Sequence, residues 1–149
     1  VLAAACSDGP LSPFVVRDGV RTVLVDFGAS VFHWPDDPVA ITAFRVDGEI
    51  LELTVQYGGG CREHDFALIA WNGWLETVPV AAGLLLAHDA NGDACEAFIT
   101  ETLRFNLVPL RRNHELHYRS AHGTVRLRFE DPRTVQQPPL NPPSLLWEF

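Results

Sequence analysis

The chain has 149 residues, 47% hydrophobic and 20% charged, a composition that suits one globular domain with a real core and is wrong for a disordered chain. Its net charge of −8 argues against a nucleic-acid partner, because phosphate binding needs clustered cations; the nearest cluster, Arg111-Arg112, is soon followed by Glu115. No run approaches the ~20 apolar residues that a membrane-spanning helix needs.

The first signal along the chain is Val1-Leu2-Ala3-Ala4-Ala5-Cys6-Ser7. It reads as the end of an apolar signal segment meeting a cysteine, with the small residues that a signal peptidase accepts. The pattern resembles a bacterial lipoprotein signal, although such signals usually place Leu three before the cysteine and Leu2 stands four before Cys6. Cys6 is therefore expected to be the lipidated first residue of the mature chain and its anchor to a membrane. An ordinary secretory remnant is the alternative. Residues 1–13 are read as signal remnant and tether, 14–130 as the folded domain, and 131–149 as a proline-rich tail.

Strand signals dominate the domain. Arg17-Asp18-Gly19 suggests a turn before a β-branched stretch from Val20 to Phe27. Trp34-Pro35-Asp36-Asp37-Pro38 marks a loop, Ile41 to Val46 a strand, and Asp47-Gly48 the next turn. Leu51, Leu53, Val55 and Tyr57 then alternate with Glu52, Thr54 and Gln56, the period of a strand with one wet face. Gly58-Gly59-Gly60 should stop it. Phe66 to Trp71, Asn72-Gly73 and Trp74 to Val80 read as strand, hairpin turn and partner strand. Leu84-Leu85-Leu86 leads into a turn at His88 to Asp93. Ala97, Ile99, Leu103, Phe105 and Leu107 share a face that Glu101 interrupts, which suggests a bulge near Thr100. Residues 111–123 fit a short helix or a long loop. Val125, Leu127 and Phe129 alternate in a last strand, and Leu145-Leu146-Trp147 in the tail is apolar enough to dock on the domain. Short strands separated by turns, with no long helical period, predict an all-β, antiparallel, immunoglobulin-like sandwich of about seven to nine strands; a small β-barrel is the alternative.

Two segments gather the residues that could carry chemistry: Gly58-Gly59-Gly60-Cys61-Arg62-Glu63-His64-Asp65-Phe66, and His88-Asp89-Ala90-Asn91-Gly92-Asp93-Ala94-Cys95. Together they resemble uncharacterised bacterial lipoproteins, which pair a Gly-Gly-Cys-x-x-His-x-Phe segment with a later His-Asp turn ending in cysteine. The resemblance spans about residues 45–130 and implies a signal-bearing protein of the cell envelope, periplasmic or surface-exposed; it brings no activity with it. The residues themselves allow three chemistries. Cys61 and Cys95, an even pair once Cys6 is set aside, would form a disulfide in an oxidising compartment. Cys61, His64, His88 and Cys95 are a donor set for zinc or copper, but thiolates are hard to keep reduced outside the cytoplasm. Asp89, Asn91 and Asp93 match the start of a calcium loop, whose sixth position would be Ala94 instead of Gly and whose twelfth would be Thr100 instead of Glu. The disulfide is the leading expectation, with no cofactor and no catalytic residue. A Cys61 thiol beside His64 or His88, or acids such as Glu63 and Asp65, would be needed for an enzyme. The glycine run lacks the Lys-Ser/Thr that phosphate binding requires. The four tryptophans are expected mostly in packing, His114, His117 and His122 on the surface, and any protein or ligand partner is left open.

Overall fold

The computed structural model describes residues 12–28, 33–130 and 143–149. The expected signal remnant with Cys6 lies outside the described residues, as does most of the proline-rich tail. Among the described residues, nine strands and one helix follow in the order β1 (Arg21–Thr22), β2 (Leu24–Val25), β3 (Ala40–Asp47), β4 (Ile50–Gly59), β5 (Asp65–Leu75), β6 (Ala81–Asp89), β7 (Ala97–Asn106), α1 (Val108–Tyr118), β8 (Thr124–Glu130) and β9 (Ser144–Glu148). They build a four-stranded sheet, β1-β7-β4-β3, and a five-stranded sheet, β2-β5-β6-β8-β9. The fold is mostly β, in two sheets that do not close into a barrel, which removes the barrel alternative.

The period of two in β4 places Leu51, Leu53, Val55 and Tyr57 inward. They meet Phe66, Leu68, Leu84, Leu86, Leu103, Phe105, Val125, Leu127 and Trp147 in one core between the sheets. Strand β6 is buried along nearly its whole length. Its outer residues Leu85 and Ala87, with Ala67 and Ile69 of β5, are covered by Phe14, Leu24, Trp34 and Trp71. The β-branched stretch after Asp18-Gly19, both at positive φ, does not form one strand. It crosses at buried Val23 from the first sheet to the second.

Three expectations are corrected. The sheets are mixed: β1 pairs parallel to β7, β2 to β5 and β6 to β8. The third pairing follows from the helix. After β7, α1 carries the chain across to the second sheet at the end where β6 begins, so β8 must run the same way as β6. Asn72-Gly73 is not a hairpin turn but an insertion within β5, where Trp71 faces Gly83 and Trp74 already faces Ala82. Gly73 supplies the positive φ there, and Trp74 stays on the core side. No bulge interrupts β7, which pairs with β4 in unbroken register from Ile50–Asn106 to Gly59–Ala97.

Residues 144–148 of the expected tail complete the second sheet, antiparallel to β8. Trp147 is 1% exposed, and its indole N–H donates to the Gly48 carbonyl at 2.8 Å, which ties the last strand to the β3–β4 turn. Trp147→Ala should lower unfolding free energy by about 3–5 kcal/mol, the usual cost of emptying a buried aromatic site, read from the urea midpoint; a loss below about 1 kcal/mol would show that β9 is not part of the cooperative core.

Candidate functional site

The ends of β4 and β6 and the starts of β5 and β7 meet at one end of the sandwich, opposite α1. The glycine run is needed there because side chains press on the backbone. A Cβ at Gly59 would lie 2.6 Å from His64 Nε2 and 2.9 Å from Asp93 Oδ2, and Gly60 holds φ +114, a conformation other residues adopt only with strain. In the facing turn Asn91 and Gly92 both take positive φ, and Asp89 Oδ1 accepts the Asn91 N–H at 2.8 Å. This is the local side-chain turn that Asx residues favour.

Asp93 organises the two turns. Its Oδ2 accepts the backbone N–H groups of Cys61 and Arg62 and the Nε2–H of His64, each at 3.0 Å. Its Oδ1 accepts the N–H of Cys95 at 3.0 Å. The bond from His64, supported by these N–H groups and opposed by burial, holds the carboxyl far below the usual carboxylate range. His64 Nδ1 lies 2.8 Å from His88 Nε2, and His88 Nδ1 lies 3.1 Å from the Asp37 carbonyl. A carbonyl only accepts, so His88 Nδ1 donates and its Nε2 must accept from His64. On its other side His64 Nε2 faces the Asp93 carboxylate, so the ring bridges Asp93 and His88. Burial lowers the pKa of His88 and favours its neutral form.

An aromatic column encloses this chain. Tyr57 lies 4.6 Å from His64 and 5.3 Å from His88, ring to ring, and Phe66 stacks on His88 at 4.5 Å. Tyr57 donates to Glu101 Oε2 at 2.5 Å; burial, then this bond and the charge of Glu101, raise the phenol's pKa. Arg21, 9% exposed, lies 5.7 Å from the Phe66 ring centroid. Burial lowers its pKa, while the charges of Glu101 and Asp65 act in the opposite sense.

The described geometry brings Cys61 and Cys95 together as a disulfide, with Cα atoms 5.8 Å apart. In the chain-entropy view, closing 34 residues of sequence separation stabilises by about 3–4 kcal/mol. It does not assemble the zinc or copper set of Cys61, His64, His88 and Cys95, because the sulfurs are joined in a disulfide and the facing imidazole nitrogens are hydrogen-bonded to one another. Nor do Asp89, Asn91 and Asp93 converge as calcium ligands. Asp89 caps its own turn, Asn91 donates from Nδ2 to the Glu63 carbonyl and to Asp65, and Asp93 turns inward. His117 and His122 are exposed as expected, but His114 is 4% exposed. Its position on α1 places it among Trp74, Tyr118 and Phe149, and burial lowers its pKa.

Reading the sequence missed Arg21, Asp37 and the Tyr57–Glu101 pair. For the last the signal was present: Glu101 shares a strand face with Leu103 and Phe105, and Tyr57 on the paired strand supplies its partner. Chemically, the His64 and Asp93 side chains are 1% and 0% exposed. They hold the glycine turn and the Asx turn together.

No family model matches the chain, and no curated protein matches it. Solved structures share the fold. A NigD-like immunity protein from Bacteroides caccae is 17% identical, with a TM-score of 0.53, covering 75% of this chain and 52% of its own. A protein of unknown function, DUF1344, from Bacteroides vulgatus is 14% identical, with a TM-score of 0.52, covering 87% of this chain and 56% of its own. A putative lipoprotein from Bacteroides fragilis is 11% identical, with a TM-score of 0.54, covering 87% of this chain and 69% of its own. The chain thus matches little more than half the length of the first two.

Because His88 and His114 both have lowered pKa values in the fold, the unfolded chain takes up protons there first. Their contribution to stability is complete above the unfolded imidazole value of about 6.5 and is lost as pH falls through it. The urea midpoint should therefore be lower at pH 5 than at pH 7.5, and His114→Leu should reduce that difference. An unchanged difference would show that His114 is not sealed.

Proposed function

We propose that this protein is a non-catalytic module of the bacterial cell envelope, periplasmic or surface-exposed, held to a membrane by lipid on Cys6. Its immunoglobulin-like sandwich is pinned at one end by the Cys61–Cys95 disulfide and serves a structural or interaction role. The observation that carries this reading is the sealed His64–Asp93 pair: groups of the type that enzymes use are committed here to internal hydrogen bonds. A disulfide suits an oxidising compartment. A neighbour described as a lipoprotein and another described as an immunity protein are compatible with a binding or anchored role in the envelope. Fold likeness alone carries no activity, so the partner is left to experiment. The reading of Cys61, His64, His88 and Cys95 as a resident zinc or copper centre is the weaker one, since His64 and His88 spend facing nitrogens on each other.

Lipidation is tested in the native host by feeding an alkyne-tagged fatty acid to cells carrying the full gene. The wild-type protein should take up label and sediment with membranes, and Cys6→Ser should do neither. An unlabelled wild type, or a Cys6→Ser protein labelled as strongly, would overturn the anchor.

A further inference from the structure

We propose that reducing Cys61–Cys95 converts this pair of turns into a three-ligand site for a thiophilic divalent cation. Zinc suits the donor set best, bound by Cys61 Sγ, Cys95 Sγ and a carboxylate oxygen of Asp93. Among the described residues these three donors form a group whose ligand atoms all lie within 4.8 Å of one another. Two thiolates and a carboxylate, with the fourth position open to water, is a coordination that zinc accepts.

The decisive feature is that the two turns do not depend on the sulfur bridge for their alignment. Asp93 receives the backbone N–H groups of both cysteines and of Arg62. Arg62 Nη1 donates to the Asn91 carbonyl at 2.7 Å, and Asn91 Nδ2 donates to the Glu63 carbonyl at 2.8 Å and to Asp65 at 2.9 Å. Opening the disulfide leaves all of these bonds in place, so the thiols stay side by side. Tetrahedral zinc with Zn–S of about 2.3 Å holds its sulfurs about 3.8 Å apart. With the Cα atoms 5.8 Å apart, rotation about the Cα–Cβ bonds can supply that opening without moving the backbone. Asp93 keeps acceptor capacity for an ion, because Oδ1 takes one N–H while Oδ2 takes three. Two thiolates and one carboxylate against a dication leave one net negative charge. Cys61 is exposed, so reductant and ion can reach it. The set leaves out His88, and His64 enters only as a hydrogen-bond partner of Asp93.

The chemistry balances with a dithiol reductant. It gives two electrons and two protons to the S–S bond, becomes a disulfide itself and leaves two protein thiols. Zinc then displaces both thiol protons to solvent as two Zn–S bonds form. This inference goes beyond the proposed function and stands or falls apart from the lipid on Cys6.

The test uses the full chain, air-oxidised or reduced with a phosphine that is then removed, titrated with Zn²⁺ against a chromophoric chelator. Reduced protein should bind one equivalent at least 100-fold more tightly than oxidised protein. The Cys61→Ser, Cys95→Ser double variant should match the oxidised affinity. X-ray absorption of the zinc-loaded reduced protein should show two sulfurs at about 2.3 Å and oxygen in the rest of the shell. The proposal is overturned if reduction leaves affinity unchanged, if the double variant binds as tightly as the reduced wild type, if the shell holds four sulfurs or none, or if the reduced chain loses its β-sheet circular dichroism.

Discussion

The carboxylate of Asp93 is the constraint on which one whole end of this molecule depends. It is closed off from water, and a buried carboxylate is tolerable only when its oxygens are hydrogen-bonded. Four N–H donors from two turns, one of them on His64, meet that requirement. The neighbouring features follow from it. Gly59 must lack a side chain because His64 and Asp93 occupy that space. His88 must be neutral so that its Nε2 can accept from His64. The Pro35 to Asp37 segment must lie along β6, where it exchanges backbone bonds with His88 and gives the ring its carbonyl partner.

The two ends of the sandwich solve burial differently. At the Asp93 end, ions and imidazoles are satisfied by one another under Tyr57 and Phe66. At the other end the helix supplies an aromatic lid. Trp74, His114, Tyr118 and Phe149 pack together there, Trp74 donates to Asn113 at 2.9 Å, and the Cβ absent at Gly123 would fall 2.6 Å from His114. The last strand closes the same end through Trp147. Between these ends the core is mainly apolar, with Arg21, Glu101 and Tyr57 as its inward polar groups.

Much of this was readable in the residues. The alternation in β4, the Asp47-Gly48 turn, the Asx-rich turn after β6 and the pairing of the two cysteines rest on local rules that tertiary structure did not override. The failures share a cause. Asn72-Gly73 has the backbone chemistry of a hairpin, but the same positive φ serves an insertion within a strand, and only the register with β6 tells them apart. Glu101 looked like a break because its partners lie on a different strand, 44 residues away in sequence for Tyr57. His114 was placed on the surface because its sequence neighbours are polar, whereas a helix buries one stripe regardless of overall polarity. The parallel pairing of β6 and β8 depends on where the helix delivers the chain, which no single segment records.

A carboxylate, and not the sulfur bridge beside it, holds the two turns together. Amide hydrogen exchange on the reduced protein tests this most directly, because exchange rates report local opening residue by residue. The N–H groups of Cys61, Arg62 and Cys95 should remain protected with the disulfide open and lose protection in Asp93→Asn with the disulfide closed. Exchange of those three amides at loop rates on reduction alone would contradict it.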